Sequence, residues 1–330
     1  MLGVVAGLLV WTRGSDEQAK SYCSGLVPDE RFKSMVPAGD YPHGRQSDLV
    51  GDPAAEVTCE ISLPDLRQVD ATLEFQVRTR YSDIKATDDA AGLEAQLSPV
   101  QPLGAGLVGI GSDLFAWVRL PACTVGGPEK FARLVVRDQK PAAKGTDQFY
   151  KYFPGRPDNR ARVAALLVDM ANGVYRMAKC SAAPLPVPTV GAQARKTPTP
   201  ASGEICGLPA SRPGVQPTVP TDFQWTGRDP AWEECLIRSP GDPDDTARLR
   251  LWVVKGEPAR LEADWRRESV TVEGMHKASR FPSSSRLYFG SCSGVPMFLS
   301  VEGRELWGAE EQIFAAYAQA VAEREGCALV

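Results

Sequence analysis

The sequence predicts an α+β protein made of two tandem copies of one domain, each an antiparallel β-sheet covered by a C-terminal α-helix. Three observations predict this fold class. Eight cysteines fall into two sets of four, the same succession of strand-like runs follows in both sets, and each set ends with an amphipathic helix pattern. The two sets are Cys23, Cys59, Cys123 and Cys180, then Cys206, Cys235, Cys292 and Cys327.

The strand-like runs occupy matching places between the cysteines of the two copies. Apolar and polar residues alternate in these runs, which is the pattern of a half-buried strand. The second cysteine of each set leads into one run, the third cysteine follows another, and a third run comes after a short turn. The matching pairs are 71–80 with 247–254, 114–120 with 286–289, and 131–137 with 297–301.

A helical pattern precedes the last cysteine of each set. Apolar residues recur there at steps of three and four, which places them on one face of an α-helix. Such a helix needs a sheet face to cover, and the preceding strands supply it. The stripes are Val163, Leu166, Leu167, Met170, Val174 and Met177 in the first copy, and Ile313, Phe314, Tyr317, Ala320 and Val321 in the second.

Four cysteines in a copy allow three disulfide pairings, and spacing does not choose among them. From the repeat we favour first with second and third with fourth: Cys23–Cys59, Cys123–Cys180, Cys206–Cys235 and Cys292–Cys327. The alternatives are free buried cysteines or a metal site. A metal site is not favoured, because the chain has no CxxC pair and only two histidines, His43 and His276.

Paired cysteines indicate an oxidising compartment and therefore export. Residues 2–11 are apolar, but such a helix would span only about 15 Å, half of a bilayer core. We expect residues 1–19 to be the remnant of a signal-anchor that starts upstream, which places the domains outside the cytoplasmic membrane; secretion is the other localisation. An apolar strand of a soluble protein remains the alternative for this segment.

The predicted domain boundaries follow from a change of composition between the two sets. Residues 20–181 and 205–330 form the two domains, and residues 182–204, rich in Pro, Thr and Ala, form a semi-rigid linker. The threonines among these prolines could instead accept O-linked sugar. A net charge of -4 and a pI near 5.5 give no reason to expect nucleic acid as a partner.

Several short motifs are shared with a known group of proteins. They are Cys206 to Pro209 (CGLP), Trp232 to Cys235 (WEEC), Ala116 to Cys123 (AWVRLPAC) and Ala318 to Cys327 (AQAVAEREGC). With these motifs the chain resembles uncharacterised exported proteins of high-GC actinobacteria, including disulfide-paired lipoprotein domains of streptomycetes and mycobacteria. The resemblance implies an envelope location, the fold and disulfides. This chain lacks a lipidated cysteine, so the resemblance does not extend to attachment by lipid.

Three patterns suggest chemistry but fit a structural role better. Gly104 to Gly109 matches GxGxxG, yet it follows Pro102 and precedes a strand, so we predict a flexible loop. Gly290 to Gly294 looks like a nucleophile elbow around Cys292, but that cysteine has a predicted partner, and His276 sits in a polar loop without an orienting acid. Asp242 to Asp245 lacks the calcium-loop spacing. We therefore assign no catalytic, cofactor-binding or metal-binding residue, and expect no cofactor.

One segment of the first copy has no counterpart in the second. The third and fourth cysteines are 57 residues apart in the first copy and 35 in the second, a difference of 22. The excess falls at about residues 138–159 and combines aromatic and basic side chains, as in binding loops. The candidate partner-binding residues are Phe149, Tyr150, Lys151, Tyr152, Phe153 and Arg156. The alternative is that these aromatics fold back onto the core.

Tryptophan positions complete the prediction. Trp117 and Trp252 lie in strand-like runs and are expected in the core, whereas Trp225, Trp232 and Trp307 lie near turns and could border a groove.

The leading functional hypothesis is a noncatalytic, membrane-anchored extracytoplasmic module that binds an envelope protein or cell-wall component. The alternatives are a secreted hydrolase using paired carboxylates and a purely structural envelope protein.

Overall fold

A computed structural model shows two antiparallel sheets, each with a long helix on one face. It describes residues 21–28, 31, 49–66, 69–81, 83, 100–124, 127–138, 159–190, 197–198, 204–206, 208–209, 222–226, 231–238, 249–266, 273–277, 285–303 and 310–330. The predicted N-terminal anchor, residues 1–19, lies outside the described residues.

The first copy contains a seven-stranded antiparallel sheet and a small hairpin. The hairpin pairs β1 (Ser21–Tyr22) with β2 (Val27–Pro28). The sheet strands are β3 (Val50–Gly51), β4 (Val57–Leu66), β5 (Val69–Arg78), β6 (Gln101–Pro102), β7 (Gly109–Gly111), β8 (Phe115–Leu120) and β9 (Lys130–Asp138). Their order across the sheet is β3-β4-β5-β9-β8-β7-β6.

The second copy repeats this arrangement. Its sheet strands are β10 (Thr197–Pro198), β13 (Asp222–Trp225), β14 (Trp232–Arg238), β15 (Leu249–Lys255), β16 (Gly274–Lys277), β17 (Ser285–Cys292) and β18 (Val295–Gly303), and a hairpin pairs β11 (Glu204–Ile205) with β12 (Leu208–Pro209). Their order is β10-β13-β14-β15-β18-β17-β16. The central order β14-β15-β18-β17-β16 therefore matches β4-β5-β9-β8-β7, which confirms two tandem copies of one α+β fold.

Three helices complete the described fold: α1 (Asn159–Met177), α2 (Glu257–Arg266) and α3 (Glu310–Glu325). The apolar stripe of α1 packs on the first sheet as predicted, from Val163 to Val174. Met177 is the exception: it is 43% exposed because it is the last residue of the helix. In α3, Phe314, Tyr317 and Val321 are buried against the second sheet. Helix α2 was not predicted, and it packs on β15 and β18.

All four disulfides join the cysteines that the repeat favoured: Cys23–Cys59, Cys123–Cys180, Cys206–Cys235 and Cys292–Cys327. The first bond of each copy is buried, whereas Cys123, Cys180 and Cys327 are partly exposed. Cys23 and Cys206 also share a left-handed backbone, with φ of 54° and 55°. The duplication thus extends to the local turn geometry at the first cysteine.

Fourteen of the 22 extra residues of the first copy lie where the cysteine spacing placed them, between the last strand and the long helix. Strand β9 ends at Asp138 and α1 begins at Asn159, with 20 residues between them. In the second copy, β18 ends at Gly303 and α3 begins at Glu310, with six residues between them. The same connection is therefore 14 residues longer in the first copy.

The two sheets share a third core that the sequence did not predict. In each copy one sheet face packs on the long helix, and the opposite face packs toward the other copy. This inter-copy face brings residues of both halves into one apolar cluster. Its buried members are Tyr81, Val100, Ile110, Phe115, Trp117, Phe131 and Val135 of the first copy, and Trp232, Trp252, Val254, Ala259, Leu261, Leu287 and Phe298 of the second.

The described part of the predicted linker is bound to the sheets on both sides. The side chain of Asn172 in α1 donates to the carbonyl of Leu185 and accepts from its N–H, at 3.1 and 2.8 Å. Thr189 N–H donates to the carbonyl of Leu103 at 2.8 Å. Strand β10, also in this segment, pairs with β13 in the second sheet. The segment therefore contributes to the fold and does not merely separate two domains.

Candidate functional site between the two sheets

The inter-copy face contains a cluster of aromatic side chains. The rings of Tyr81 and Trp117 lie 4.9 Å apart, and those of Trp232 and Trp252 lie 5.1 Å apart. Trp117 and Trp252 are buried strand residues, as predicted. The prediction for Trp232 was wrong: it is only 1% exposed, because β14 places it on the face that the first copy covers.

Glu234 is the central charged residue of this face, and its side chain is fully buried. Its carboxylate accepts hydrogen bonds from the side chain of Arg250 and from the backbone N–H of Val100. Burial raises the pKa of Glu234 above its ordinary value, while Arg250 and the N–H of Val100 oppose that shift. A carboxylate from β14 thus receives a donor from the first copy, just before β6.

A second buried ionic pair lies at the start of α1. Arg160 Nε is 3.9 Å from Asp113 Oδ1, and both side chains are 2% exposed. Burial lowers the pKa of Arg160, while the charges of Asp113 and Glu234 act in the opposite direction. The amide of Asn159 donates to the carbonyl of Asp113 at 2.6 Å. The first residues of α1 are therefore held beside the inter-copy charges.

Helix α2 adds two further polar contacts between the copies. The hydroxyl of Tyr81 donates to Glu262 Oε1 at 2.5 Å, and both residues are buried. Nearer the solvent, Arg119 forms an ion pair with Glu257 at 2.6 Å. The second copy supplies the carboxylate in both contacts.

The helix-covered face of the second copy carries a separate ionic group. Arg324 of α3 donates two hydrogen bonds to the buried carboxylate of Glu233, at 3.1 and 2.7 Å. Lys255 and Glu325 are joined at 2.6 Å. Because neighbouring strand residues point to opposite faces, the adjacent Glu233 and Glu234 serve the two different cores.

The motifs that suggested chemistry have structural roles in turns, a disulfide and a strand. Gly104, Ala105 and Gly106 form a left-handed turn between β6 and β7, which confirms a loop at the GxGxxG match. Ser293 and Gly294, both with positive φ, form the two-residue turn between β17 and β18, and Cys292 is disulfide-bonded. His276 lies on strand β16, so the polar-loop prediction was wrong. Its Nε2 is 3.1 Å from the carbonyl oxygen of Glu273.

Other predicted residues lie outside the described part of the chain. They are Phe149, Tyr150, Lys151, Tyr152, Phe153 and Arg156 of the candidate loop, His43, Trp307 and the Asp242 to Asp245 loop. Within the described ranges, no group of three or more His, Cys, Asp or Glu side chains is arranged to hold a metal ion.

The buried carboxylates are engaged by protein groups. Glu233 binds Arg324, Glu234 binds Arg250 and Val100, Glu262 binds Tyr81, and Asp113 faces Arg160. A carboxylate held this way has a hydrogen-bonding or ionic partner within its own fold. These contacts favour a structural role in joining strands, helices and copies over acid–base work.

Sequence reasoning missed this polar layer, although one signal was present. Glu233 and Glu234 stand side by side in a strand between Trp232 and Cys235. Successive strand residues point to opposite faces, so two adjacent acids indicate that both faces carry a charge. With Cys235 fixing one face in a core, the acid beside it predicts a basic partner across the other.

No protein-family model matches the sequence, and no curated protein matches it. Among solved structures, the chain has a weak similarity to the di-domain ARO/CYC StfQ from the steffimycin biosynthetic pathway. The identity is 9%, the alignment covers 86% of this chain and 84% of that chain, and the TM-score is 0.13. A TM-score of this size defines no common fold.

Proposed function

We propose that this protein is a noncatalytic extracytoplasmic binding module of the bacterial cell envelope. The observation that carries the proposal is the set of four disulfides, which suggests an oxidising location outside the cytoplasm. The engagement of the buried carboxylates by protein donors supports a binding role over a hydrolase that uses paired carboxylates.

The proposed binding element is the 139–158 connection, with its aromatic and basic residues. Two features support this choice. The second copy joins the equivalent strand and helix with six residues, so the shared fold does not require the longer segment. The two residues that follow it, Asn159 and Arg160, are also buried at the start of α1, each only 1% exposed. Aromatic rings beside cations suit a glycan or protein surface.

Attachment to the membrane through residues 1–19 is part of the same proposal. Among the described helices none is long and apolar enough to cross a membrane.

The experiment that tests the binding element replaces residues 139–158 with the six residues 304–309 of the second copy. A length-preserving variant carries Phe149→Ala, Tyr150→Ala, Tyr152→Ala and Phe153→Ala. Both chains and the parent are sedimented with purified peptidoglycan sacculi. We expect the parent to co-sediment, and both variants to lose at least tenfold in binding while keeping four disulfides and an unchanged melting temperature.

Two outcomes would count against the proposal. Undiminished binding by both variants would remove the loop as the binding element. Failure of the parent chain to bind sacculi, with capture of an envelope protein by chemical crosslinking from whole cells also negative, would remove the cell-envelope ligand itself.

A further inference from the structure

We infer that the inter-copy faces form a directional recognition surface, in which a first copy pairs with a second copy and second copies reject one another. The partner that fits the inter-copy face of either copy, once that face is uncovered, is therefore the opposite copy of this chain. The inference rests on the polarity of the contacts, on the register of the two sheets and on the placement of the disulfides. It does not depend on the proposed ligand.

Three polar contacts between the copies have the same polarity. Tyr81 O–H, the N–H of Val100 and the guanidinium of Arg119 donate from the first copy. The acceptors are carboxylates of the second copy, those of Glu262, Glu234 and Glu257. Arg160 of the first copy adds a positive charge that acts on Glu234. Donors on one side and carboxylates on the other give complementary potentials, which set partner choice more than affinity.

The sheet register shows that equivalent positions differ in charge. Cys59 and Cys235 occupy equivalent places, so Thr58 stands in the first copy where Glu234 stands in the second. By the same register, Arg133 is opposite Gln76, and its equivalent Ser300 is opposite Trp252. The duplicated faces are thus alike in position and different in chemistry.

A pair of second copies would lose this complementarity. Its two faces would bring Glu234, Glu257 and Glu262 against a surface that carries the same three acids and lacks the first copy's donors. Glu234 would keep Arg250 of its own copy, but buried Glu262 would lose the Tyr81 hydroxyl, and the acids of the two faces would meet like charge. Such clashes are the usual means of excluding a wrong partner. The pairing of unlike copies avoids the cost.

The disulfides make the inference accessible to experiment. All four bonds lie within a copy, so no covalent link other than the linker joins the two halves. A protease site inserted between residues 190 and 197 would allow the folded, full-length protein to be cut into a first half and a second half. The tether that raises the local concentration of each face would then be removed.

We expect the cut protein to elute as one species containing both halves in equal amounts. When the halves are separated in mild denaturant, returned to buffer and mixed, the one-to-one pair should form again, and second halves alone should remain monomeric by native mass spectrometry. Halves that separate on cleavage without denaturant, or second halves that form homodimers, would overturn the inference. The mass of the cut protein before and after thiol labelling checks that its disulfides are intact.

Charge-swap variants test the direction of the pairing in the same cut protein. Arg119→Glu should raise the dissociation constant of the halves about fivefold, a modest effect because the pair is partly exposed. Combining it with Glu257→Arg should recover most of that loss.

Arg31→Glu is the matched control, since Arg31 pairs with Asp169 inside the first copy at 3.1 Å and should leave the dissociation constant unchanged. Directional recognition would be contradicted if the double variant bound as weakly as Arg119→Glu alone. It would also be contradicted if Arg31→Glu raised the dissociation constant as much as Arg119→Glu.

Discussion

The two faces of each sheet are built from different chemistry. The helix-covered faces are mainly apolar and contain the buried disulfides Cys23–Cys59 and Cys206–Cys235, with one ionic group around Glu233 in the second copy. The inter-copy faces combine large aromatic rings with buried charges, including Arg133, Arg160 and Glu234.

Buried charges cost desolvation energy, and apolar residues of similar volume often stabilise as well or better. The comparison teaches that the helix-covered cores supply stability and the inter-copy core supplies a defined partner.

The covalent links follow the same division. Cys123–Cys180 joins the segment after β8 to the segment after α1, and Cys292–Cys327 joins the end of β17 to the segment after α3. Each copy is therefore cross-linked within itself, while described contacts between copies are noncovalent. Changes at the two faces should consequently have different effects on folding and on pairing.

The largest loss of stability should come from removing one phenyl ring from either face. Phe75 lies in the helix-covered core of the first copy and Phe298 in the inter-copy core, and both are fully buried. Phe75→Ala and Phe298→Ala should each lower the free energy of unfolding by about 3–5 kcal/mol, measured by urea denaturation. Val50→Ala, at a position 69% exposed, should change it by about 0.5 kcal/mol or less.

The two phenylalanine variants should separate after the linker is cut. Only Phe298→Ala should release the halves from each other on size-exclusion chromatography. Release by Phe75→Ala to the same extent would mean that the two cores are not independent.

A smaller effect should follow from removing one buried disulfide. Cys23 and Cys59 close a loop with a sequence separation of 36, for which chain entropy gives about 3–4 kcal/mol. The Cys23→Ala/Cys59→Ala variant should lose this amount in urea while the near-ultraviolet circular dichroism of the inter-copy tryptophans stays unchanged. Loss of that tryptophan signal under native conditions would show that the inter-copy face depends on the disulfide core.

The smallest effect concerns the pH dependence of stability, to which Glu234 and Glu325 should contribute with opposite signs. Burial raises the pKa of Glu234, so its ionisation penalises the folded state, and stability is lost as pH rises above about 4.5. Bonds from Lys255 and Arg324 outweigh burial at Glu325 and lower its pKa. Its contribution is present above about pH 4.5 and lost as pH falls through the lowered pKa.

Unfolding measured from pH 2.5 to 8 in the parent, Glu234→Gln and Glu325→Gln checks this pair of signs. Relative to Glu234→Gln, the parent protein should become less stable as pH rises. Relative to Glu325→Gln, the free energy of unfolding of the parent should rise by about 1 kcal/mol or less as pH increases. The same sign for both variants would show that the two glutamates do not have contrasting environments.

Much of the fold follows from local patterns. The cysteine spacing located the duplication and the long 139–158 connection, and three-and-four periodicity located α1 and α3. These features depend on residues near each other in sequence, or on the repetition of one pattern, and both are visible in a chain without coordinates. Helix α2 was not predicted, because it is short and its buried apolar residues, Ala259, Leu261 and Ala263, form no long stripe.

The candidate site was harder to predict, because its partners are far apart in sequence. Glu234 meets Val100 and Glu262 meets Tyr81 across separations of 134 and 181 residues. Trp232 looked like a turn residue because the first copy, distant in sequence, supplies the face that covers it. His276 looked like a loop residue because its strand, β16, has only four residues. No periodicity encodes which distant donor meets a given acid.

By itself, the sequence determined the two α+β copies and favoured the four disulfide pairs that the structure contains, which suggest an oxidising compartment. Alternating strands show that a sheet face is buried, and a repeated set of cysteines shows that the same fold occurs twice. Only the tertiary structure decided that the second face of each sheet is buried against the other copy. The physical reason is that periodicity reports how much of a face is apolar, whereas the partner of that face depends on shape and charge brought together from distant parts of the chain.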